Sequence, residues 1–236
     1  MKEERFFYDP LLTGELPAEE AHHASRVLRL QSGDEVHLID GRGNFCRAEL
    51  TIVSNHRVQY RILEREPQQP SWQGHLHLAL APTKMMERVE WFAEKATEIG
   101  FDELTFLDCQ FSERRVVKEE RNDKILVSAM KQSRKAWKPV LNGMTDFGRF
   151  VGQEREGDKF ICHCHESAVG SPLLFDVLRP GVPSTVLIGP EGDFSIDEVQ
   201  LALQNNYREV SLGKSRLRTE TAALVAVHMM HLRNII

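Results

Sequence analysis

Cysteine is scarce in this chain of 236 residues: the four, Cys46, Cys109, Cys162 and Cys164, are unevenly spaced. They are too few for a disulfide scaffold and read as reduced thiols in a reducing compartment. Long apolar runs are missing as well. No stretch approaches the roughly 20 residues of a membrane span, and Met1-Lys2-Glu3-Glu4-Arg5 leads into no signal-like apolar segment. The expectation is a cytoplasmic protein that meets no membrane. Positive charge is not in excess either: 30 Lys and Arg stand against 35 Asp and Glu, a net charge of -5. That argues against a generic polyanion binder but leaves room for a local basic face. No internal repeat or low-complexity tract is visible, and the length suits one large or two modest domains with a proper core.

What is present is organised around residues 184–223. The apolar run Val186-Leu187-Ile188 breaks into Gly189-Pro190-Glu191-Gly192-Asp193-Phe194-Ser195, a strand followed by a glycine-bracketed turn. Val210-Ser211-Leu212-Gly213-Lys214-Ser215-Arg216-Leu217-Arg218-Thr219 repeats the plan: short strand, glycine turn, helix start. Two such units in succession put both glycine loops at one end of a parallel sheet, where ligands of open α/β sheets bind.

Ahead of this stretch, residues 1–66 read as a small β-rich unit. Val36–Asp40, Phe45–Leu50 and Val58–Leu63 alternate like strands, the first two joined by the turn Gly41-Arg42-Gly43-Asn44. A short helix with Pro17 in its first turn runs into the basic stretch Arg26-Val27-Leu28-Arg29. Residues 67–74 are polar and proline-bearing, a linker and domain boundary. From 75 to 236 strand and helix alternate, with strands at His75–Ala81, Leu104–Leu107 and Lys159–Cys164. A helix with Val89, Phe92, Ala93, Ala96 and Ile99 on one face stops at Gly100, and another centres on Ile125–Met130. The pattern implies a mainly parallel sheet with helices on both faces. The last helix, carrying Leu224, Val225, Val227, His228, Leu232 and Ile235, is apolar around much of its girth and points to burial against a second subunit.

Three motifs bear on chemistry. Cys162-His163-Cys164-His165 has the residue types of a zinc site, but side chains alternate faces along a strand, so no ion collects all four and no metal is expected. The loop at 189–193 has neither the Gly-Lys-Ser/Thr end of a phosphate-binding loop nor the glycine spacing of a dinucleotide fingerprint. Glu191 and Asp193 would repel phosphates and suit a positively charged cofactor, favouring the sulfonium S-adenosylmethionine over ATP or NAD; the loop reads equally as a plain turn capped by Ser195. Arg216 and Arg218 beside a helix start suit an anion or a polarised carbonyl, with Thr219 as the helix N-cap and Glu220 a first-turn acid. Between Gln110 and Val140, nine Lys and Arg against four Asp and Glu give a local excess of five positive charges, and Phe111 and Trp137 add surfaces for base stacking. With Arg26 and Arg29, this tips the balance toward nucleic acid.

Taken together, His23-Ala-Ser-Arg26-Val-Leu-Arg29, Lys95-Ala-Thr-Glu-Ile-Gly100, Ser112-Glu-Arg114, Gln132-Ser-Arg134, Ile188-Gly-Pro-Glu-Gly192 and Leu212-Gly-Lys-Ser-Arg-Leu-Arg-Thr-Glu-Thr-Ala222 resemble the bacterial 16S ribosomal RNA (uracil-N3)-methyltransferases of the SPOUT class, over essentially the whole chain. The resemblance implies a small N-terminal PUA-like β-barrel followed by a SPOUT α/β domain with a mainly parallel sheet and a C-terminal trefoil knot. It implies a homodimer that takes S-adenosylmethionine and methylates N3 of a uridine near the decoding region of the small ribosomal subunit. Leu187, Ile188, Gly189, Pro190, Glu191 and Gly192 would line one side of the cofactor, and Leu212, Gly213, Ser215, Leu217 and Arg218 the other. Arg218 with the backbone at Thr219 would stabilise the uracil anion, Glu220 or Glu191 would take the proton, and His23, Arg26, Arg29, Lys84, Arg114, Gln132 and Arg134 would position RNA. Two departures are visible: Asp193 stands where the family usually has glycine, and Ser215-Arg216-Leu217-Arg218 where it often has Arg-Ile/Val-Leu-Arg. A non-catalytic ribosome-assembly protein and a SPOUT enzyme acting on transfer RNA are the competing readings.

Overall fold

The computed structural model describes residues 5–54 and 57–235; Met1 to Glu4, part of the start read above for a leader, lie outside them. The chain forms two compact units, Met1–Pro70 with Val127–Lys138, and Ser71–Leu126 with Pro139–Ile236.

In the first unit, β1 (Phe6–Tyr8), β2 (Glu35–Ile39), β3 (Asn44–Val53) and β4 (Val58–Pro67) pair in that order. β1 lies parallel to β2 and the remaining pairs are antiparallel. Among the described residues no ladder joins β4 back to β1. Alternation along β2 and β3 sends Val36, Leu38, Cys46, Ala48 and Leu50 into one core with Phe7 and Tyr60, as the period of two requires. Helix α1 (Ala18–His22) follows Pro17, which stands just ahead of the first turn as N-cap rather than inside it, and runs on as a π-helix over His23–Val27.

The second unit is built on β5 (Leu76–Leu80), α2 (Met86–Ile99), β6 (Glu103–Asp108), α3 (Glu119–Gln132, whose last turns belong to the first unit), β7 (Val140–Asp146), α4 (Phe147–Val151), β8 (Asp158–Cys162), α5 (Leu174–Val177), β9 (Ser184–Ile188), α6 (Ile196–Gln204), β10 (Arg208–Glu209) and α7 (Thr219–Asn234). Six strands form one sheet in the order β10-β8-β9-β5-β6-β7, with every ladder parallel. The central strands β5 and β9 are buried along their whole length, which is why they read as continuous apolar runs. Their side chains divide between two cores. Leu76, Leu78, Leu80, Val186 and Ile188 pack with α2 and α7, while Ala79 and Leu187 pack with Phe147, Phe150, Phe194 and Val199 from α4, α6 and their flanks. Helix α2 ends where predicted: Gly100 adopts φ +116°, and a Cβ there would lie 2.6 Å from the Trp72 ring, so only glycine closes that helix.

Strand β7 was absent from the sequence expectation. It is a half-exposed edge strand carrying Gly143 and Asn142, so no clean alternation marks it.

Helix α6 opens with a reciprocal capping box, Glu198 N donating to Ser195 Oγ and Ser195 N to Glu198 Oε2. Replacing Ser195 by Ala should cost about 0.5–2 kcal/mol of stability, read as a lower urea midpoint at unchanged slope. An unchanged midpoint would mean that the cap contributes nothing.

A polar cluster on β5 and β6 gives the fold an acid-sensitive point. His77 is buried with its Nε2 2.8 Å from Thr105 Oγ1, and burial pushes its pKa down to about 4. Glu103 is held down to about 2, chiefly by the hydrogen bond with His75, with Asn142 Nδ2 as a further donor. Unfolded His77 takes a proton that the folded form refuses, so its contribution to stability is lost as pH falls from 6.5 toward 4. That of Glu103 is present above 4.5 and lost as pH falls toward 2. His75, raised by the same carboxylate, acts in the opposite sense, above 6.5. Replacing His77 by Gln should flatten the stability profile between pH 6.5 and 4; an unaltered profile would assign the acid sensitivity elsewhere.

Candidate active site

Strand β8 lies between β9 and β10 in the sheet, so three carboxyl ends stand side by side. The loops leaving β9 and β10, the Cys162–Cys164 stretch at the end of β8 and Arg88 of α2 enclose a cavity of about 440 Å³. Its place beyond the carboxyl ends of a parallel sheet is the one open α/β sheets use, and its size is that of a small-molecule site.

The first loop is tightly fixed. Asp193 N donates to Pro190 O at 2.9 Å, closing a turn. Asp193 adopts φ +66°, a left-handed conformation that Asp tolerates better than most residues. Its carboxylate accepts from Cys164 N at 2.7 Å and from Phe194 N at 2.8 Å. Asp193 therefore ties the loop to the end of β8. Glu191, exposed, accepts from Lys84 N at 3.2 and 3.3 Å. The guanidinium of Arg114 donates to Lys84 O at 2.8 and 3.1 Å, and Lys84 Nζ pairs with Glu113 at 2.9 Å. Three residues far apart in sequence, Lys84, Arg114 and Glu191, thus meet beside the cavity.

The second loop turns at Gly213, φ +119°, where an added Cβ would meet nothing within 4 Å. Gly213 N donates to Ser211 Oγ at 3.1 Å. Helix α7 then starts with Arg218 as N-cap and Thr219 inside the first turn, a correction of one residue to the expected Thr219 cap. No side chain caps this end, so the first amides of α7 are left without a side-chain acceptor, and the Arg218 guanidinium beside them carries donors only.

Of the residues expected from sequence, Ile188, Gly189, Pro190, Glu191, Leu212, Gly213, Ser215, Leu217, Arg218 and Thr219 line the cavity. Leu187, Gly192 and Glu220 stand off it. Leu187 alternates to the opposite face of β9 and packs in the core with Phe194 and Val199. Gly192 lies against Phe111, where a Cβ would approach to 3.1 Å. Glu220 is buried, with Oε1 3.8 Å from Arg88 Nε and Oε2 without a hydrogen bond. In the first unit, His23, Arg26, Arg29, Gln132 and Arg134 are exposed. Arg29 and Arg134 both hold φ +53°, and Arg134 lies 5.5 Å over the Phe6 ring. The basic stretch 110–140 is less free than its sequence suggests. Arg115, Arg121, Lys124 and Lys131 pair with Asp108, Glu90, Glu120 and Glu20.

Two contributions escaped the sequence: the end of β8 and Arg88. His163 is bonded to Glu209 at 2.8 Å, and His165 Nε2 to Phe194 O at 2.7 Å, so both imidazoles are engaged in structure. Burial pushes the Cys162 and Cys164 thiols up, so neither offers the thiolate that nucleophilic catalysis requires.

The lining fits S-adenosylmethionine. Ile188, Leu212, Leu217 and Ala222 give apolar surface, Glu191 and Asp193 suit a cation, and Arg88, Arg216 and Arg218 suit a carboxylate. At Gly213 the cavity wall is bare backbone, which lets a ligand approach closely.

The family model of an RNA methyltransferase domain matches residues 70–231, and that of an RNA methyltransferase PUA domain matches residues 16–63. Ribosomal RNA small subunit methyltransferase E from Synechocystis sp. is 30% identical over 220 residues, covering 90% of this chain and 70% of the relative. A crystal structure of a probable rRNA-methyltransferase from Porphyromonas gingivalis superposes with a TM-score of 0.91 at 40% identity, covering 98% of both chains. That of a ribosomal RNA small subunit methyltransferase E from Neisseria gonorrhoeae, bound to S-adenosyl methionine, gives a TM-score of 0.86 at 26% identity over 98% of both chains. With its two-unit architecture, its parallel sheet and both domain models in place, the chain belongs to the ribosomal RNA small subunit methyltransferase E family of RNA methyltransferases.

Proposed function

We propose that this protein is an S-adenosylmethionine-dependent methyltransferase of small-subunit ribosomal RNA and that its target is N3 of a uridine near the decoding region of 16S RNA. The observation that carries this reading is the cavity between the β9 and β10 loops, lined by both glycine turns and by the start of α7. The cofactor-bound Neisseria relative supports it. Residues 1–66 would contribute RNA contacts through His23, Arg26 and Arg29, and Gln132, Arg134, Lys84 and Arg114 would add to them. The SPOUT resemblance adds a trefoil knot in the cofactor-binding region. Work on a ribosomal substrate would be done in the cytoplasm. No helix among the described residues is long and apolar enough to cross a membrane.

When bound, the cofactor supplies an electrophilic methyl group on a sulfonium. The protein's task is to make N3 a nucleophile. In neutral uracil N3 bears a proton and its lone pair is delocalised, so the proton must leave as the new N–C bond forms and the C–S bond breaks. Glu191 lines the cavity whereas Glu220 does not, which makes Glu191 the better placed proton acceptor. Arg218 and the Thr219 amide stabilise the negative charge that develops on O2 and O4, with the base held out of its stack.

Calorimetric titration with S-adenosylmethionine, alone and with small subunits present, tests the site. Saturable binding of one cofactor per chain is expected. Absence of binding at millimolar cofactor under both conditions would overturn the catalytic reading.

The outer face of α7 supports a homodimer. Leu224, Val225, His228 and Leu232 line an apolar depression of about 620 Å³ with Ile99 and Phe175, the kind of surface that a second subunit covers. Replacing Leu232 by Glu should give a folded monomer by light scattering; a persisting dimer would place the interface elsewhere.

A further inference from the structure

Among the described residues, Arg88 is the arginine in the cavity wall that comes from neither glycine loop. It sits in the first turn of α2, a helix anchored in the core by Val89, Phe92 and Ala96. Its side chain is 31% exposed, whereas Arg216 and Arg218 are exposed on the loop before α7. A guanidinium on a packed helix is better fixed than one on a loop.

Behind Arg88 stands Glu220, only 8% exposed. Arg88 Nε and Glu220 Oε1 are 3.8 Å apart, an ion pair too long for a hydrogen bond. The other oxygen, Oε2, is buried with no hydrogen-bond partner. A buried carboxylate left in this state costs stability. A closed structural salt bridge would bring a guanidinium within bonding distance of both oxygens. The pair instead holds a positive charge in place without a hydrogen bond between the two groups.

The ligand assigned to this cavity has a matching demand. S-adenosylmethionine carries two cationic centres, sulfonium and ammonium, and one carboxylate. Glu191 and Asp193 of the first loop suit the cations, and the carboxylate calls for a fixed cation. We propose, resting on the cofactor reading above, that Arg88 receives the carboxylate of the methionine moiety and that Glu220 is a positioning residue for its guanidinium. On this assignment Glu220, which lies outside the cavity wall, serves cofactor binding through Arg88, and Arg218 remains for the uracil.

Two ligands that differ in the carboxylate test this by calorimetry without any turnover. S-adenosylhomocysteine keeps the amino-acid moiety, and 5′-methylthioadenosine lacks it. Arg88→Gln should weaken S-adenosylhomocysteine by roughly ten- to hundred-fold, as expected for loss of a charge-assisted pair, and leave 5′-methylthioadenosine unchanged. Arg88→Lys should restore part of the loss. Glu220→Gln should weaken S-adenosylhomocysteine selectively and by a smaller factor, with no further loss in the Arg88→Gln background. Retained 5′-methylthioadenosine affinity also shows that each variant keeps a folded site. Equal weakening of both ligands, or no change in either, would overturn the assignment of Arg88, and additive losses in the double variant would overturn that of Glu220. If the unaltered protein binds neither thioether, the cofactor reading fails, and the role of Arg88 with it.

Discussion

Replacing Arg218 by Ala is expected to lower turnover by about 10²–10³-fold, the usual loss on removing one donor to a developing anion, while S-adenosylmethionine affinity stays within about threefold. The expectation follows from the chemistry of N3. Free uridine releases that proton only well above neutral pH, so catalysis depends on charge placed at the carbonyl oxygens. Arg218 lines the cavity and immediately precedes the uncapped α7 N-terminus, where helix amides and guanidinium reinforce each other. Single-turnover rates and cofactor titration separate the outcomes. A parallel fall in rate and binding would make Arg218 a cofactor clamp instead.

Replacing Gly213 by Ala should raise the dissociation constant for S-adenosylmethionine by about 5- to 150-fold, the equivalent of about 1–3 kcal/mol of backbone strain. The methyl group itself meets nothing within 4 Å. The cost comes from φ +119°, which L side chains rarely adopt. Gly213 lies exposed in a loop, so relief comes from a shift of that loop, and the loss appears in cofactor affinity rather than in the unfolding midpoint. Binding and stability both at the level of the unaltered protein would show that the turn does not hold this conformation when the cofactor is bound.

Much of the second unit was legible because its signals are local. The uninterrupted burial of β5 and β9, the Gly100 stop, the Ser195 cap and the two glycine turns each arise within a few neighbouring residues. Parallel ladders then put both turns at one edge of the sheet, as the strand-turn-helix succession implied. What stayed hidden depends on strand order and on side-chain direction. Nothing local says that β8 inserts between β9 and β10, and that insertion alone brings Cys162 and Cys164 to the cavity. Arg88 arrives from α2, more than one hundred residues from the loops it faces. Leu187 lies between the lining residues Ile188 and Gly189 and the apolar Val186, yet the period of two turns it into the opposite core. Edge strand β7, half exposed, lacks the apolar alternation that marked its neighbours. Residues 127–138 group with the first unit, an association of sequence-distant segments that a contiguous division into 1–66 and 75–236 does not contain. The positive excess of 110–140 was a count of charges, and the acids that pair with Arg121 and Lys131 lie outside that window at Glu90 and Glu20.

The most direct measurement is the identity of the product. Small ribosomal subunits lacking the modification are incubated with the protein and methyl-labelled S-adenosylmethionine, and the 16S RNA is digested to nucleosides and separated by chromatography. Label in 3-methyluridine, absent when the Arg218→Ala protein is used at the same concentration for the same short time, is the expected result. Label in any other nucleoside, or no incorporation at all by a protein that binds the cofactor, would contradict methylation at N3.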